Sequence, residues 1–124
     1  MSKPTVAVIG ASNDRTKYSN KAVRAYLRQG YEVFPVNPKE TQIEGLKAYR
    51  SVLDIPGPLD RVTVYLPPVV GMKVVEEIAR KGTKELFLNP GSESEDLIKK
   101  AESLGLRPII ACSITDIGVS PSQL

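Results

Sequence analysis

A turn near the start of the chain has the composition of an anion-binding site. The apolar run Thr5–Ile9 leads into the small residues Gly10, Ala11 and Ser12, and a polar loop with Arg15 and Lys17 follows. Small residues let an anion approach the backbone, where N–H groups and a helix dipole can bind it. We predict a phosphate site made of backbone N–H groups, Ser12 and one or both cations. The alternative is a tight turn with solvated charges.

The turn differs from the dinucleotide-binding motif, which places three glycines within six residues and carries an acidic residue about 20 residues later to hold the ribose. Here a single glycine precedes a longer loop, and the second predicted strand ends in Asn37, Pro38 and Lys39. A cation at that point favours a phosphorylated ribose and disfavours NAD. An ordinary Asn-Pro turn with an exposed lysine is the alternative interpretation.

Two further turns follow predicted strands. Pro67 and Pro68 stiffen the segment Tyr65–Val69. A rigid apolar segment of this kind could cover an adenine ring or a pantetheine arm. The same prolines are also an ordinary signal for the start of a helix. The turn Asn89–Ser92 lines the same edge of the sheet, where we expect a loop and helix-cap role with peripheral ligand contact.

Residue types that perform catalysis are scarce. The sequence has no histidine and one cysteine, Cys112, so the usual general base and metal ligand are missing and an internal disulfide is excluded. We expect Cys112 to be a small buried apolar residue. The aspartates show no paired spacing that singles out an acid–base couple. We therefore predict no catalytic residues and no metal site, although enzyme activity stays an open question.

Length and charge restrict the class of protein. A chain of 124 residues is expected to form a single domain, 1–124. The net charge is +3, but the basic residues mostly alternate with acidic ones, which disfavours a nucleic-acid partner. No signal peptide or membrane-spanning run is recognisable, so we expect no membrane partner and a cytoplasmic location.

Apolar runs and helical patterns alternate along the chain. Short runs rich in Val, Ile, Leu or Phe predict buried strands at Thr5–Ile9, Tyr31–Val36, Val62–Leu66, Glu85–Leu88 and Arg107–Ile110. Helical periodicity predicts helices at about Ser19–Gln29, about Val69–Lys81 and around Leu97–Leu104. A glycine follows each helix. This order predicts an α/β fold: a Rossmann-like, doubly wound, mainly parallel sheet of about five strands with helices on both faces.

The sequence also predicts helix caps and short elements. Ser19 or Asn20 is expected to cap the first helix, and Ser92 with Glu95 to form a capping box for the third. We expect a short edge strand within Ile43–Tyr49 and one helical turn at Ser51–Asp54. The tail after Cys112 is expected to be irregular.

Several motifs taken together resemble a known family. They are Val8–Ser12, Tyr31–Lys39, Gly45 with Tyr49, Val62–Pro68 and Cys112. In this combination the chain resembles, over nearly its whole length, the small stand-alone CoA-binding domain proteins. More distantly it is similar to the nucleotide-binding domain of the succinyl-CoA synthetase alpha subunit, whose phosphohistidine has no counterpart here. The chain departs from many relatives at Ser113–Asp116, where they often carry a methionine or an acidic residue.

The resemblance implies roles for particular residues. The phosphates of CoA would face the first turn and the loop after it, and Lys39 would meet the 3′-phosphate beside the adenosine. The expected ligand-binding residues are Gly10, Ala11, Ser12, Arg15, Lys17, Tyr18, Ser19, Asn37, Pro38, Lys39, Tyr65, Leu66, Pro67, Pro68 and Val69. The last five would flank the adenine or the pantetheine.

Three functions fit these observations. The first is non-catalytic binding of coenzyme A or an acyl-CoA. The second is an NADP-dependent oxidoreductase or redox sensor, which would use Lys39 in the same way but lacks a glycine-rich turn for the diphosphate. The third is a regulatory module in which the ligand gates contact with a protein partner that the sequence does not specify.

Overall fold

Seven strands and four helices are present in the computed structural model, which describes residues 3–124. The strands are β1 (Thr5–Ile9), β2 (Glu32–Val36), β3 (Gln42–Ile43), β4 (Leu46–Lys47), β5 (Arg61–Val64), β6 (Glu85–Leu88) and β7 (Pro108–Ile110). The helices are α1 (Tyr18–Arg28), α2 (Pro68–Lys81), α3 (Glu95–Ser103) and α4 (Ser113–Asp116). Short 3₁₀ turns lie at Val52–Asp54 and Pro121–Gln123.

Five of the strands form one parallel sheet in the order β2-β1-β5-β6-β7. The chain runs outward from β1 to β2, returns to β5 on the other side of β1, and continues to β7. The strand order therefore reverses between β1 and β5, where open α/β sheets bind their ligands. Ile9 of β1 is in register with both Val36 of β2 and Val64 of β5. The predicted Rossmann-like fold is confirmed.

Side chains along β1 alternate between the two faces of the sheet, and a separate hydrophobic core lies on each face. Val6 and Val8 face α1 and α4, where they cluster with fully buried residues such as Tyr26 and Ile114. Ala7 and Ile9 belong to the opposite cluster, which contains residues of α2 and α3. Because strands covered on both faces must be apolar throughout, the continuous hydrophobic runs in the sequence are explained.

Both predicted helix caps are wrong. Helix α1 has Lys17 as its N-cap residue, without a side-chain cap, and Ser19 and Asn20 lie inside its first turn. Asn20 Nδ2 instead donates to the Ser12 carbonyl oxygen at 2.8 Å and so ties the helix to the preceding loop. Helix α3 is capped by Ser94, whose hydroxyl accepts from the Leu97 N–H at 3.1 Å. Ser92 lies in the preceding turn and forms no capping box.

The predicted edge strand within Ile43–Tyr49 is a hairpin of β3 and β4 instead. Its two-residue turn has positive φ at both positions, 50° at Glu44 and 76° at Gly45, as a type I′ turn requires. After the hairpin, Tyr49 forms an isolated parallel bridge with Val36, which brings the following residues back to the sheet. The predicted helical turn is confirmed by the 3₁₀ turn Val52–Asp54, capped by the Ser51 hydroxyl.

The tail after Cys112 is structured, not irregular. Helix α4 buries Ile114 completely, and Arg61 Nη1 of β5 contacts the Asp116 carboxylate at 2.9 Å. A four-residue helix is too short to produce a periodic pattern, so its packing only becomes visible in three dimensions. Cys112 is half-buried, not fully buried as predicted.

Candidate ligand-binding site

The turn after β1 packs directly against the end of β5. Gly10 has a φ of +85°, and a Cβ atom at that position would lie 2.5 Å from the Tyr65 carbonyl oxygen. Only glycine therefore fits. The N–H groups of Gly10 and Ala11 donate to the Val36 carbonyl oxygen at 3.0 and 3.2 Å. These two donors hold β1 to β2, so the anion-binding donors must be sought further along the loop.

Asn37, the first residue after β2, fixes the same turn from the other side. Its Nδ2 donates to the Ala11 carbonyl oxygen at 2.8 Å, and its Oδ1 accepts from the Lys39 N–H at 2.7 Å. The carboxamide therefore joins the two loops that leave β1 and β2.

Two helices begin at this edge of the sheet without caps. Helices α1 and α2 have neither a side-chain cap nor an acidic residue in the first turn. In α1, the N–H groups of Tyr18 and Ser19 have no acceptor within residues 3–124. Helix α3, in contrast, has the Ser94 cap and acidic residues Glu95 and Asp96. Because open N-terminal N–H groups carry partial positive charge, α1 and α2 offer an anion two favourable dipoles.

A cleft of about 350 Å³, here called the central cleft, lies between the start of α1 and the loops after β5 and β6. Its wall is formed by Lys17, Tyr18, Ser19, Tyr65, Leu66, Pro67, Pro68, Pro90, Gly91 and Ser92. Ser19 and Ser92 are 5% and 4% exposed. Neither hydroxyl makes a hydrogen bond to another part of the described chain. The hydroxyls of two largely buried serines, an exposed lysine and a helix N-terminus thus face the same space.

A smaller cleft of about 260 Å³, here called the side cleft, lies on the β2 side of Gly10. Leu66 lines both clefts and separates them. Pro38 and Arg50 border the side cleft, as do Val70 and Val74 of α2. The side cleft therefore combines an apolar wall with one cation, Arg50, and one carboxylate, Glu77, which accepts a hydrogen bond from the Ser51 hydroxyl.

A third space of about 350 Å³, here called the inner cavity, adjoins the central cleft. It is more enclosed and mostly apolar, and it shares Tyr18, Tyr65 and Pro90 with that cleft. Its remaining lining residues are Asn89, Cys112 and Pro121.

The polar groups of the inner cavity differ in their hydrogen bonding. Asn89 is fully engaged: Nδ2 donates to Thr63 Oγ1 at 2.6 Å and to the Val64 carbonyl oxygen at 2.9 Å, while Oδ1 accepts from the Ser113 N–H at 2.9 Å. The Tyr65 hydroxyl oxygen is buried and has no hydrogen-bond partner in the described chain. Burial raises the pKa of Tyr65 well above its usual value, and the nearby Thr63 hydroxyl opposes this only in part.

The predicted site residues fall into two groups. Lys17, Tyr18, Ser19 and Tyr65–Pro68 line the central cleft, and Gly10 and Pro38 line the side cleft. The remaining predicted residues, Ala11, Ser12, Arg15, Asn37, Lys39 and Val69, are not part of these walls.

The residues outside the walls have other contacts. Arg15 is directed to Glu44, with Nε 3.5 Å from the carboxylate, and the Ser12 hydroxyl accepts from the Asp14 N–H at 3.0 Å. Lys39 and Val69 are exposed, Val69 to 81%. Lys39 follows Pro38 directly and so stays within reach of the side cleft.

Two parts of the cleft walls were not predicted from the sequence. Arg50 was not considered, and Pro90–Ser92 were expected to make only peripheral ligand contact. Arg50 approaches the side cleft only because the hairpin and the Tyr49–Val36 bridge return the chain to the end of β2. The sequence signal for Pro90–Ser92 was present, since this turn follows a buried strand.

Two further kinds of feature are absent from residues 3–124. That part of the chain contains no group of three or more His, Cys, Asp or Glu side chains placed to hold a metal ion. None of its helices is long and apolar enough to cross a membrane.

Comparison with known proteins gives a consistent result. The family model described as CoA binding domain matches residues 4–117. The ADP-forming acetate–CoA ligase II subunit alpha of Pyrococcus furiosus is 33% identical over 115 residues, which cover 84% of this chain but 25% of that subunit. The chain thus spans about a quarter of the length of this curated relative.

Solved structures of small proteins are similar over most of their length. A conserved hypothetical protein from Pyrococcus furiosus superposes with a TM-score of 0.81 at 34% identity, covering 93% of this chain and 99% of that one. A hypothetical protein from Pyrococcus horikoshii OT3 gives a TM-score of 0.84 at 32% identity, covering 90% and 79%. The fold described above therefore also occurs as a whole protein chain.

Proposed function

Because the chain belongs to the CoA binding domain family, we propose that it binds coenzyme A or an acyl-CoA at the carboxyl edge of its sheet. The observation that carries this proposal is the central cleft. There the uncapped N-terminus of α1, the Lys17 side chain and the unpaired hydroxyls of Ser19 and Ser92 face one space. These groups are hydrogen-bond donors without acceptors, and a diphosphate supplies several acceptors.

The diphosphate of CoA occupies the central cleft in this proposal. Charge-assisted hydrogen bonds from Lys17 and from the free N–H groups of Tyr18 and Ser19 would stabilise it. Pro67 and Pro68 support this placement because they form a rigid apolar border without N–H donors of their own. The pantetheine arm would leave the diphosphate along this border.

The adenosine occupies the side cleft. Val70 and Val74 offer apolar contact for the base, while Lys39 and Arg50 supply positive charge for the 3′-phosphate. Arg50 lies at the rim and Lys39 on the exposed loop next to it. This assignment extends the expectation for Lys39 from the sequence by adding a second cation.

We further propose that the protein acts by binding its ligand, without catalysing a reaction. The residues that line the central cleft include no carboxylate, thiol or imidazole. The buried Asn89 amide nearby is committed to internal hydrogen bonds. Groups suited to acid–base or nucleophilic chemistry are therefore not gathered around the proposed diphosphate.

Isothermal titration calorimetry with CoA, NADP and NAD in parallel tests the proposal. We expect saturable binding of CoA and much weaker binding of both dinucleotides. Ser19→Ala and Ser92→Ala should each weaken CoA binding by roughly three- to tenfold, because each removes one hydrogen bond to the ligand. Ser103→Ala is the matched control, since this serine is exposed and only donates to the Lys100 carbonyl oxygen. Absence of CoA binding, or tighter binding of NADP, would refute the proposal.

A further inference from the structure

The inner cavity adjoins the central cleft, in which the pantetheine arm is proposed to leave the diphosphate. Tyr18, Tyr65 and Pro90 line both the central cleft and the inner cavity, so a flexible ligand can pass from one to the other along these residues. Because the adenosine is proposed to lie in the side cleft, on the other side of Leu66, the pantetheine arm is the part of CoA that can enter this space.

The lining of the inner cavity suits a small, mostly apolar group. The Asn89 amide protons and carbonyl oxygen are bonded within the protein. The Cys112 sulfur accepts a hydrogen bond from the Thr115 hydroxyl at 3.4 Å. The walls therefore offer a ligand few free polar groups.

Tyr65 is the exception. Its hydroxyl oxygen is buried and has no partner within residues 3–124. Burying such a group without a hydrogen bond costs free energy. An ordinary phenol is protonated near neutral pH, and burial raises the pKa of Tyr65 further, so the hydroxyl can act as a donor. The complementary ligand group is an uncharged acceptor such as a carbonyl oxygen.

From this arrangement, and on the basis of the proposed function, we infer that the inner cavity receives the acyl group of an acyl-CoA. The Tyr65 hydroxyl donates a hydrogen bond to the thioester carbonyl oxygen, and the aliphatic part of the acyl group contacts Pro90, Cys112 and Pro121. The preferred ligand is thus an acyl thioester, with free CoA binding more weakly.

The inner cavity has room for an acyl group. Its volume of about 350 Å³ lies within the range of about 300 to 1,000 Å³ found for pockets that hold drug-sized ligands, so it accommodates an acetyl or a butyryl group.

The carbonyl contact is tested with two ligands that differ in that group. Acetyl-CoA has the thioester oxygen, whereas S-ethyl-CoA is a thioether of similar shape without it. Wild-type protein should bind acetyl-CoA about tenfold more tightly than S-ethyl-CoA. Tyr65→Phe should reduce this ratio to near one. Tyr49→Phe is the matched control, because Tyr49 contacts Phe34 away from the inner cavity, and it should retain the wild-type ratio.

The stability of the variants is measured alongside. Since the Tyr65 hydroxyl has no partner, Tyr65→Phe should unfold at the same temperature as the wild type or higher. Cys112→Leu provides a second test that does not involve the hydroxyl, because it places extra volume in the inner cavity. It should lower the affinity for butyryl-CoA, relative to the affinity for CoA, at least tenfold.

The outcomes separate this inference from the proposed function. If CoA does not bind, both fail. If CoA binds but wild-type protein shows no preference for acetyl-CoA over S-ethyl-CoA, only the acyl site fails. The acyl site also fails if Tyr65→Phe keeps the wild-type ratio, or if Cys112→Leu weakens CoA and butyryl-CoA equally.

Discussion

Asn37 Nδ2 donates a hydrogen bond to the main-chain carbonyl oxygen of Ala11 at 2.8 Å. Dinucleotide-binding domains use a carboxylate near this position to accept hydrogen bonds from the ribose hydroxyls. Here a donor is required, because the partner is a carbonyl oxygen. The amide therefore has a structural role of its own: it holds the loop after β2 to the loop after β1, which borders the point where the strand order reverses.

Asn37→Asp should therefore destabilise the fold. The carboxylate cannot donate to the Ala11 carbonyl oxygen and would repel it, so we expect a loss of roughly 1–3 kcal/mol in the free energy of unfolding. Urea denaturation measures the loss. Gln42→Glu is an amide-to-acid control at an exposed position, where the change should be within about 0.5 kcal/mol. Equal losses for the two variants would contradict the role of Asn37.

Gly10→Ala should cost more than the same change at Gly30. Both glycines have positive φ, +85° and +83°, but only at Gly10 does an added Cβ meet the Tyr65 carbonyl oxygen, at 2.5 Å. Gly30 has nothing within 4 Å. Positive φ costs alanine about 1 kcal/mol or more, and the contact at Gly10 adds to this. Thermal unfolding and CoA titration should both show the larger loss for Gly10→Ala.

The two cations near the side cleft should recognise the 3′-phosphate. Lys39→Ala and Arg50→Ala should each weaken CoA about tenfold and dephospho-CoA much less, because a charge-assisted hydrogen bond contributes roughly 1.5–3 kcal/mol. Lys47→Ala is the control, since its ammonium lies over the Tyr49 ring. Equal losses for CoA and dephospho-CoA would remove that residue from the 3′-phosphate.

Asp60 should contribute to stability above acidic pH. The Thr5 N–H, at 2.8 Å, and the Lys84 ammonium lower the pKa of this carboxyl below its ordinary value of 3.8. Since the folded pKa is depressed, the stabilisation is complete above the unfolded pKa and is lost as pH falls through the folded pKa. Wild-type protein should thus lose more stability than Asp60→Asn between pH 5 and pH 2. Parallel losses measured by urea denaturation would contradict this.

The layout of the fold was predictable because local and tertiary preferences agree. The strands Thr5–Ile9 and Glu85–Leu88 are apolar after their first residue, since helices cover both faces of the sheet, and both were predicted with the correct bounds. The caps were not. Ser92 and Ser94 both precede α3, and the choice depends on the turn at Pro90 and Gly91 rather than on local composition.

The candidate site was predictable where it follows a strand directly. Lys17 and Tyr65–Pro68 line the central cleft as their position in the sequence suggests. Arg50 was missed because it reaches the side cleft through a hairpin and an isolated bridge. Neither feature produces a periodic pattern in the sequence. The inner cavity is lined in part by Cys112 and Pro121, which lie in a segment whose elements are too short to produce a periodic pattern.

The hydrogen bonds of Asn89 have a kinetic consequence. Its amide joins β5 to the first residue of α4, so one wall of the inner cavity is in place before any ligand arrives. Binding then requires little ordering of the protein. Different acyl-CoAs should associate at similar rates, and their selectivity should appear in how long each stays bound.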